Sequence, residues 1–171
     1  MSSSQSNRYY AMLIATLGIF SAGPAFAICT SQGLELMQHL NGSWRGRGTV
    51  QPIGGAPERI TCRIAYASEG YGAIRQNIEC AGTDYKFAAS SHVTCEGNTV
   101  IGVFEEKVAN NTGSVKGFID GSNLKIEAES PNFKGHFNVK FTSETNHSVQ
   151  ITQFDPAQGR QAVVASLQLT R

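Results

Sequence analysis

Charge is scarce in this sequence, tryptophan scarcer, and catalytic signatures are missing. Only 16% of the 171 residues are Asp, Glu, Lys or Arg, and the signs nearly cancel, 14 basic against 13 acidic. A chain so balanced lacks the counterion-release contribution that nucleic-acid binding depends on, and the pair Arg45/Arg47 is too small to make a basic patch. No nucleic-acid partner is expected. There is no Cys-x-x-Cys, no His-Glu-x-x-His, no Gly-x-Ser-x-Gly and no phosphate-binding loop. Metal-assisted hydrolysis, serine acyl transfer and nucleotide chemistry therefore lack their usual spacings. His39, His92, His136 and His147 have no ligand spacing with a cysteine and read as surface residues. The expectation is no enzyme, no metal and no cofactor.

Long apolar runs are missing as well. Ala11 to Phe20 is apolar, but Ser21, Gly23 and Pro24 interrupt it well short of the roughly 20 residues that span a bilayer. Arg8 precedes this run and Ala25-Phe26-Ala27 follows it, which predicts a signal peptide over 1–27 and one domain over 28–171. No membrane span is expected, and Ile28 before Cys29 argues against a lipid anchor. Export places the chain in the periplasm or outside the cell. The four cysteines, Cys29, Cys62, Cys80 and Cys95, then read as two disulfides in an oxidising compartment.

What the chain does have is alternation. Ser31 to Leu40 sets Leu34, Met37 and Leu40 at helical spacing behind a capping Ser31 and predicts one short helix. From Gly42 the period becomes two: Gly42, Trp44, Gly46, Gly48 and Val50 share a face, and the inward glycines suit a strongly curved first strand. Turn residues then separate Glu58 to Ser68, Ala73 to Cys80, Tyr85 to Cys95, Thr99 to Glu106, Val115 to Ile119, Leu124 to Glu129, Phe133 to Thr142, His147 to Phe154 and Ala162 to Thr170. That is about ten short strands with no room for crossover helices, so antiparallel pairing is expected. Leu124, Ile126 and Ala128 oppose Lys125, Glu127 and Glu129, one apolar face and one wet, which fits a soluble barrel or a sandwich. Of the pair Glu105/Glu106, the inward one is expected to emerge into solvent at a strand end.

The cysteines act as rulers. A hairpin centred on Tyr71 sets Cys62 opposite Cys80 and Ile64 opposite Ile78, so one register accounts for a disulfide and for packing. Of the three connectivities open to four cysteines, this one leaves Cys29 with Cys95 by elimination.

Gly42-Ser43-Trp44, at the start of the first strand, after a short helix and before a run of hairpins, resembles the lipocalin and wider calycin pattern. The chain is also similar to small exported proteins of alphaproteobacteria. The calycin resemblance implies a family barrel of eight strands, which the turn spacing exceeds, so the expectation is an all-β antiparallel meander of about 8–10 strands closing into a soluble calycin-like barrel behind one short N-terminal helix. It further implies a barrel-closing pair, with Trp44 at the floor and Arg171 packed across it as a cation on a ring. Val163, Ala165, Leu167 and Leu169 carry the inward parity that Arg171 continues.

Two functions follow as expectations. An inward set of Tyr66, Tyr85, Phe87, Phe133, Phe137 and Phe141 suits a small apolar or amphipathic ligand, although small barrels also fill themselves with side chains. The alternative is a periplasmic interaction protein, a hydrolase inhibitor or an envelope-integrity factor, acting through the loops Gly70 to Gly72 and Asn110 to Gly113 with Tyr71 as the partner contact.

Overall fold

Strand follows strand because turn residues interrupt a two-residue alternation at nearly regular intervals. The computed structural model describes residues 28–171; the expected signal peptide lies outside the described residues. One helix, α1 (Ser31–Leu40), precedes ten strands: β1 (Gly42–Val50), β2 (Glu58–Ser68), β3 (Ala73–Ala81), β4 (Lys86–Glu96), β5 (Thr99–Glu106), β6 (Asn111–Asp120), β7 (Asn123–Ser130), β8 (Phe133–Ser143), β9 (Asn146–Asp155) and β10 (Arg160–Thr170). Each strand pairs antiparallel with its sequence neighbours, and β1 pairs with β10 to close the barrel. The all-β reading holds, and closure decides for a barrel over a sandwich.

Closure falls on β1, which must bond strands on both sides while curving. A Cβ built on Gly46 would overlap the Gln168 carbonyl oxygen, and one on Gly48 the Ser166 carbonyl oxygen. Glycine lets the β10 backbone press into the inner face of β1 at these two positions. The expected cysteine register is present: Cys62 stands opposite Cys80 and Ile64 opposite Ile78. The Cys62–Cys80 disulfide has its Cα atoms 4.1 Å apart. Cys29–Cys95 spans 66 residues of sequence and ties the segment before α1 to the end of β4.

The simple parity of the last strand does not hold. Register shifts between Val163 and Ala165, so Val163 turns outward, 49% exposed, while Val164 and Ala165 are both buried. This is a β-bulge: one extra residue resets the face on which every earlier residue lies, and period-two reading has no means of seeing it.

Because the strands alternate in direction, the barrel has two distinct ends. One carries α1, the start of β1 and Arg171; we call it the closed end. The largest fully buried side chains, Trp44, Ile119, Leu169, His147 and Val100, lie within three residues of a strand end there, with Cys62 the exception. At the other end, inward side chains of β4 through β8 such as Phe87, Ser91, Phe104, Phe133 and Phe137 are only half-buried. Packing is dense at the closed end and loosens toward the opposite mouth.

Candidate functional site

The closed end is built on Trp44. Its indole N–H donates to the Leu40 carbonyl at 2.7 Å, so the last turn of α1 satisfies the one polar atom of a fully buried ring. Thr30 caps the start of α1 by accepting from the Gly33 N–H, and Leu36, Met37 and Leu40 turn into the core. The Arg171 guanidinium stands 5.2 Å from the Trp44 ring centroid. It donates to the Asn41 carbonyl at 2.9 Å, to the His39 carbonyl at 3.4 Å and to the Glu144 carbonyl at 3.3 Å. A cation thus sits on the free carbonyls at the helix C-terminus, where the helix dipole favours it.

Two histidines expected on the surface belong to this end instead. His147 is 1% exposed, its ring 4.3 Å from Trp44 and 5.2 Å from Phe141, and neither ring nitrogen has a hydrogen-bond partner. Burial, with the nearby His39 adding to it, lowers its pKa to about 4. His39 lies 5.0 Å from Phe141, and its Nε2 is also buried without a partner. The helix and the Phe141 strand cover these rings, a placement invisible to a residue-by-residue polarity reading.

Toward the opposite mouth, half-buried aromatic side chains converge on the barrel interior. Phe104 on β5 and Phe133 on β8 are separated by two strands, yet their ring centroids are 6.4 Å apart, edge to face, which requires them to meet inside the barrel. Phe137 joins them at 6.4 Å from Phe133. Inward glycines make the space: a Cβ on Gly113 would lie 2.5 Å from the Phe104 ring, and one on Gly135 would lie 2.6 Å from that of Phe133.

Polar groups share the same inner wall. Tyr66, Gln76, Ser91, Phe104 and Gly113 stand directly opposite one another across successive strands, so they form one row around the inside. Ser91 Oγ donates to Gln76 Oε1 at 3.0 Å, and Gln76 Nε2 donates to the Tyr66 hydroxyl oxygen at 3.2 Å. Burial raises the Tyr66 phenol to about 12, with the Gln76 hydrogen bond acting weakly against it, so the phenol keeps its proton at every physiological pH.

The rim of this mouth carries carboxylates that hold turns. Glu106 is 9% exposed and accepts from the Val108 and Ala109 N–H groups at 2.8 and 2.7 Å. It does not emerge into solvent as expected, because two backbone donors compensate its burial. Asp155 likewise accepts from Ala157 and Gln158, and Glu58 from Asp84. Tyr85 is raised above its ordinary pKa by burial first and by Glu106 second.

The expected aromatic set is therefore divided. Phe133 and Phe137 meet inside the barrel; Phe87 stands opposite Cys80 on the inner wall; Tyr85 lies at the rim; Tyr66, two residues from the closed end of β2, is bonded to Gln76 on the inner wall. Phe141 belongs to the closed end with His39 and His147. Phe104 was missed, although it shares inward parity with Val100, Gly102 and Glu106 in its strand. Tyr71 is 74% exposed at the β2–β3 turn of the closed end, whereas Asn110 to Gly113 lies at the other mouth and is mostly strand. The two loops cannot form one contact surface.

The barrel carries two depressions, the second of which also touches Ser91, Phe104 and Gly113. One of about 320 Å³ is bounded at the rim by Gln51, Ile53, Arg160 and Val163; the other, about 460 Å³, is bounded on the outer wall by Arg75, His92, Val103 and Thr112. Among the described residues, no cluster of three metal-ligating side chains occurs and no helix is long and apolar enough to cross a membrane.

No family model matches the chain, and no curated protein matches it. Its fold is similar to that of Rv2717c from M. tuberculosis, at 14% identity and a TM-score of 0.66, over 84% of this chain and 98% of that one. An S-type phycobiliprotein lyase, CPES from Guillardia theta, is similar at 11% identity and a TM-score of 0.59, over 82% and 94%. EF1p2_mFAP2b, in a structure bound to DFHBI, is similar at 13% identity and a TM-score of 0.51, over 82% and 99%. These likenesses are to the fold alone, a calycin-like barrel.

Proposed function

We propose that this protein is an exported, non-catalytic barrel of lipocalin type that holds a small amphipathic, ring-bearing ligand in the lumen. The observation that carries this reading is the meeting of Phe104 and Phe133 across the interior, beside half-buried inward neighbours, in a barrel densely packed at its closed end. A barrel that only filled itself would bury those rings completely. Two disulfides belong with an oxidising compartment, in keeping with export. The neighbour bound to DFHBI lends support, since its fold is similar and its structure holds a bound ligand. The likeness to the lyase is one of fold and supplies no residue correspondence on which to rest a reaction here.

The test is native mass spectrometry of residues 28–171 purified from the periplasm, followed by denaturing extraction. A retained small molecule, lost from Phe104→Ala/Phe133→Ala, is the expected result. A bare chain mass, together with no binding of naphthalene probes, would overturn the reading.

A second reading is a protein partner engaged at the closed end. Its motivation is Tyr71, 74% exposed at the tip of a turn between two glycines. Capture of a periplasmic protein by the wild type and not by Tyr71→Ala supports it; equal capture by both rejects it.

A further inference from the structure

The hydrogen bonds on the inner wall run in one direction and end on an unspent hydrogen. Ser91 uses its hydroxyl hydrogen on Gln76 Oε1, and Gln76 uses one amide hydrogen on the Tyr66 oxygen. The Tyr66 oxygen is thereby an acceptor, so its own O–H hydrogen must be donated onward, and no acceptor within the described residues takes it. Tyr66 is only 8% exposed, so bulk water is not freely available to it. Gln76 likewise keeps a second amide hydrogen unused. Farther round the barrel, Ser130, opposite Phe133, holds a buried hydroxyl with no partner. Buried polar groups are normally paired, and a group of unspent donors beside an aromatic surface calls for an acceptor.

Charge narrows what that acceptor can be. No lysine or arginine occupies an inward position on β2 through β8, and the charged groups buried at the mouth are the carboxylates of Glu106 and Asp155. An anionic ligand group would enter a low-dielectric wall without a countercharge and facing a like charge, which is costly. A neutral oxygen incurs no such penalty.

Resting on the lumen reading above, we infer that the ligand is a planar ring compound bearing a neutral carbonyl oxygen. The oxygen accepts from Tyr66 O–H and Gln76 N–H, and the ring lies against Phe104 and Phe133. Tyr66 and Gln76 thus determine specificity, and the phenylalanines supply apolar area.

Three probes of nearly one size test this by titration calorimetry on the oxidised mature chain: 2-acetylnaphthalene, 2-ethylnaphthalene and 2-naphthoate. The acetyl compound is expected to bind roughly three- to tenfold tighter than the ethyl compound, the net worth of one or two hydrogen bonds. It is also expected to bind more tightly than the naphthoate. Gln76→Met should bring the acetyl compound to the level of the ethyl compound while leaving the latter unchanged. Tyr66→Phe, which keeps the ring, should narrow the gap in the same direction and serves if Gln76→Met fails to fold. Equal binding of acetyl and ethyl probes by the wild type, or tightest binding of the naphthoate, overturns the inference while the lumen reading stands. Failure of all three to bind overturns the inference and, with a bare chain mass in native mass spectrometry, the lumen reading as well.

Discussion

His147 stands nearly edge-on to Trp44, ring centroids 4.3 Å apart, with both imidazole nitrogens sealed from any partner. A neutral imidazole fits there as an aromatic filler, and an imidazolium does not. The groups around it offer no relief: His39 from α1 and the Arg171 guanidinium beyond Trp44 are both basic, and Phe141 from β8 is apolar.

This relationship makes stability depend on pH. The folded pKa of His147, about 4, lies below the ordinary value of 6.5, so between those values the unfolded chain takes up a proton that the folded chain refuses. Above pH 6.5 the group has no effect; as pH falls from 6.5 toward 4 it removes stability, roughly 3 kcal/mol in all. Urea unfolding at pH 7.5 and pH 4.5, compared between wild type and His147→Phe, checks it. The variant should lose less stability on acidification, and parallel losses would refute the assignment.

Arg171 joins three backbone carbonyls and the Trp44 face. Arg171→Ala is expected to cost about 1–2 kcal/mol, given its exposure to solvent, and Arg171→Lys less than that. Because Trp44 is the sole tryptophan, a red shift of its emission reports loosening of this end directly. An unchanged spectrum and midpoint in Arg171→Ala would show that the contact contributes nothing.

The two disulfides should differ in worth. Closing an 18-residue separation contributes about 3 kcal/mol and a 66-residue one about 4, if constraint of the unfolded chain dominates. Paired alanine variants, Cys62→Ala/Cys80→Ala and Cys29→Ala/Cys95→Ala, measured by denaturant unfolding, test the order. The second should also expose backbone amides of α1 to hydrogen exchange, because it releases the segment that docks the helix.

Glycines of the inner face separate into two kinds. Gly46→Ala meets the Gln168 carbonyl, backbone of the closing seam, and is expected to cost about 3 kcal/mol or more. Gly135→Ala meets the edge of the Phe133 ring, which can swing aside, so it should cost about 1 kcal/mol and register mainly as weaker probe binding. Equal destabilisation by the two would contradict this distinction.

Much of the wall was legible without coordinates because its signals are local. Alternation of Leu124, Ile126 and Ala128 with charged residues, and turns such as Asp120-Gly121-Ser122-Asn123, are decided within a few residues of chain. The Cys62–Cys80 register followed from counting, since a hairpin leaves one degree of freedom and a disulfide removes it. The candidate lumen was less legible. Inward parity marked Phe133 and Phe137 correctly as inner-wall residues, but it also marked Phe141, and it has no coordinate along the barrel axis.

By itself, then, the sequence determined an all-β antiparallel meander, the positions of its turns, the faces of most strands and the pairing of its cysteines. Each depends on near-neighbour geometry with a period of two. Only the tertiary structure decided that ten strands close, that β10 bulges at Val164 and that Glu106 is buried. It also decided that α1 seals one end over His147, and that Tyr66, Gln76 and Ser91 share a row with Phe104. Those outcomes arise from strand stagger and closure, which bring together residues dozens of positions apart and so leave no trace in any local pattern.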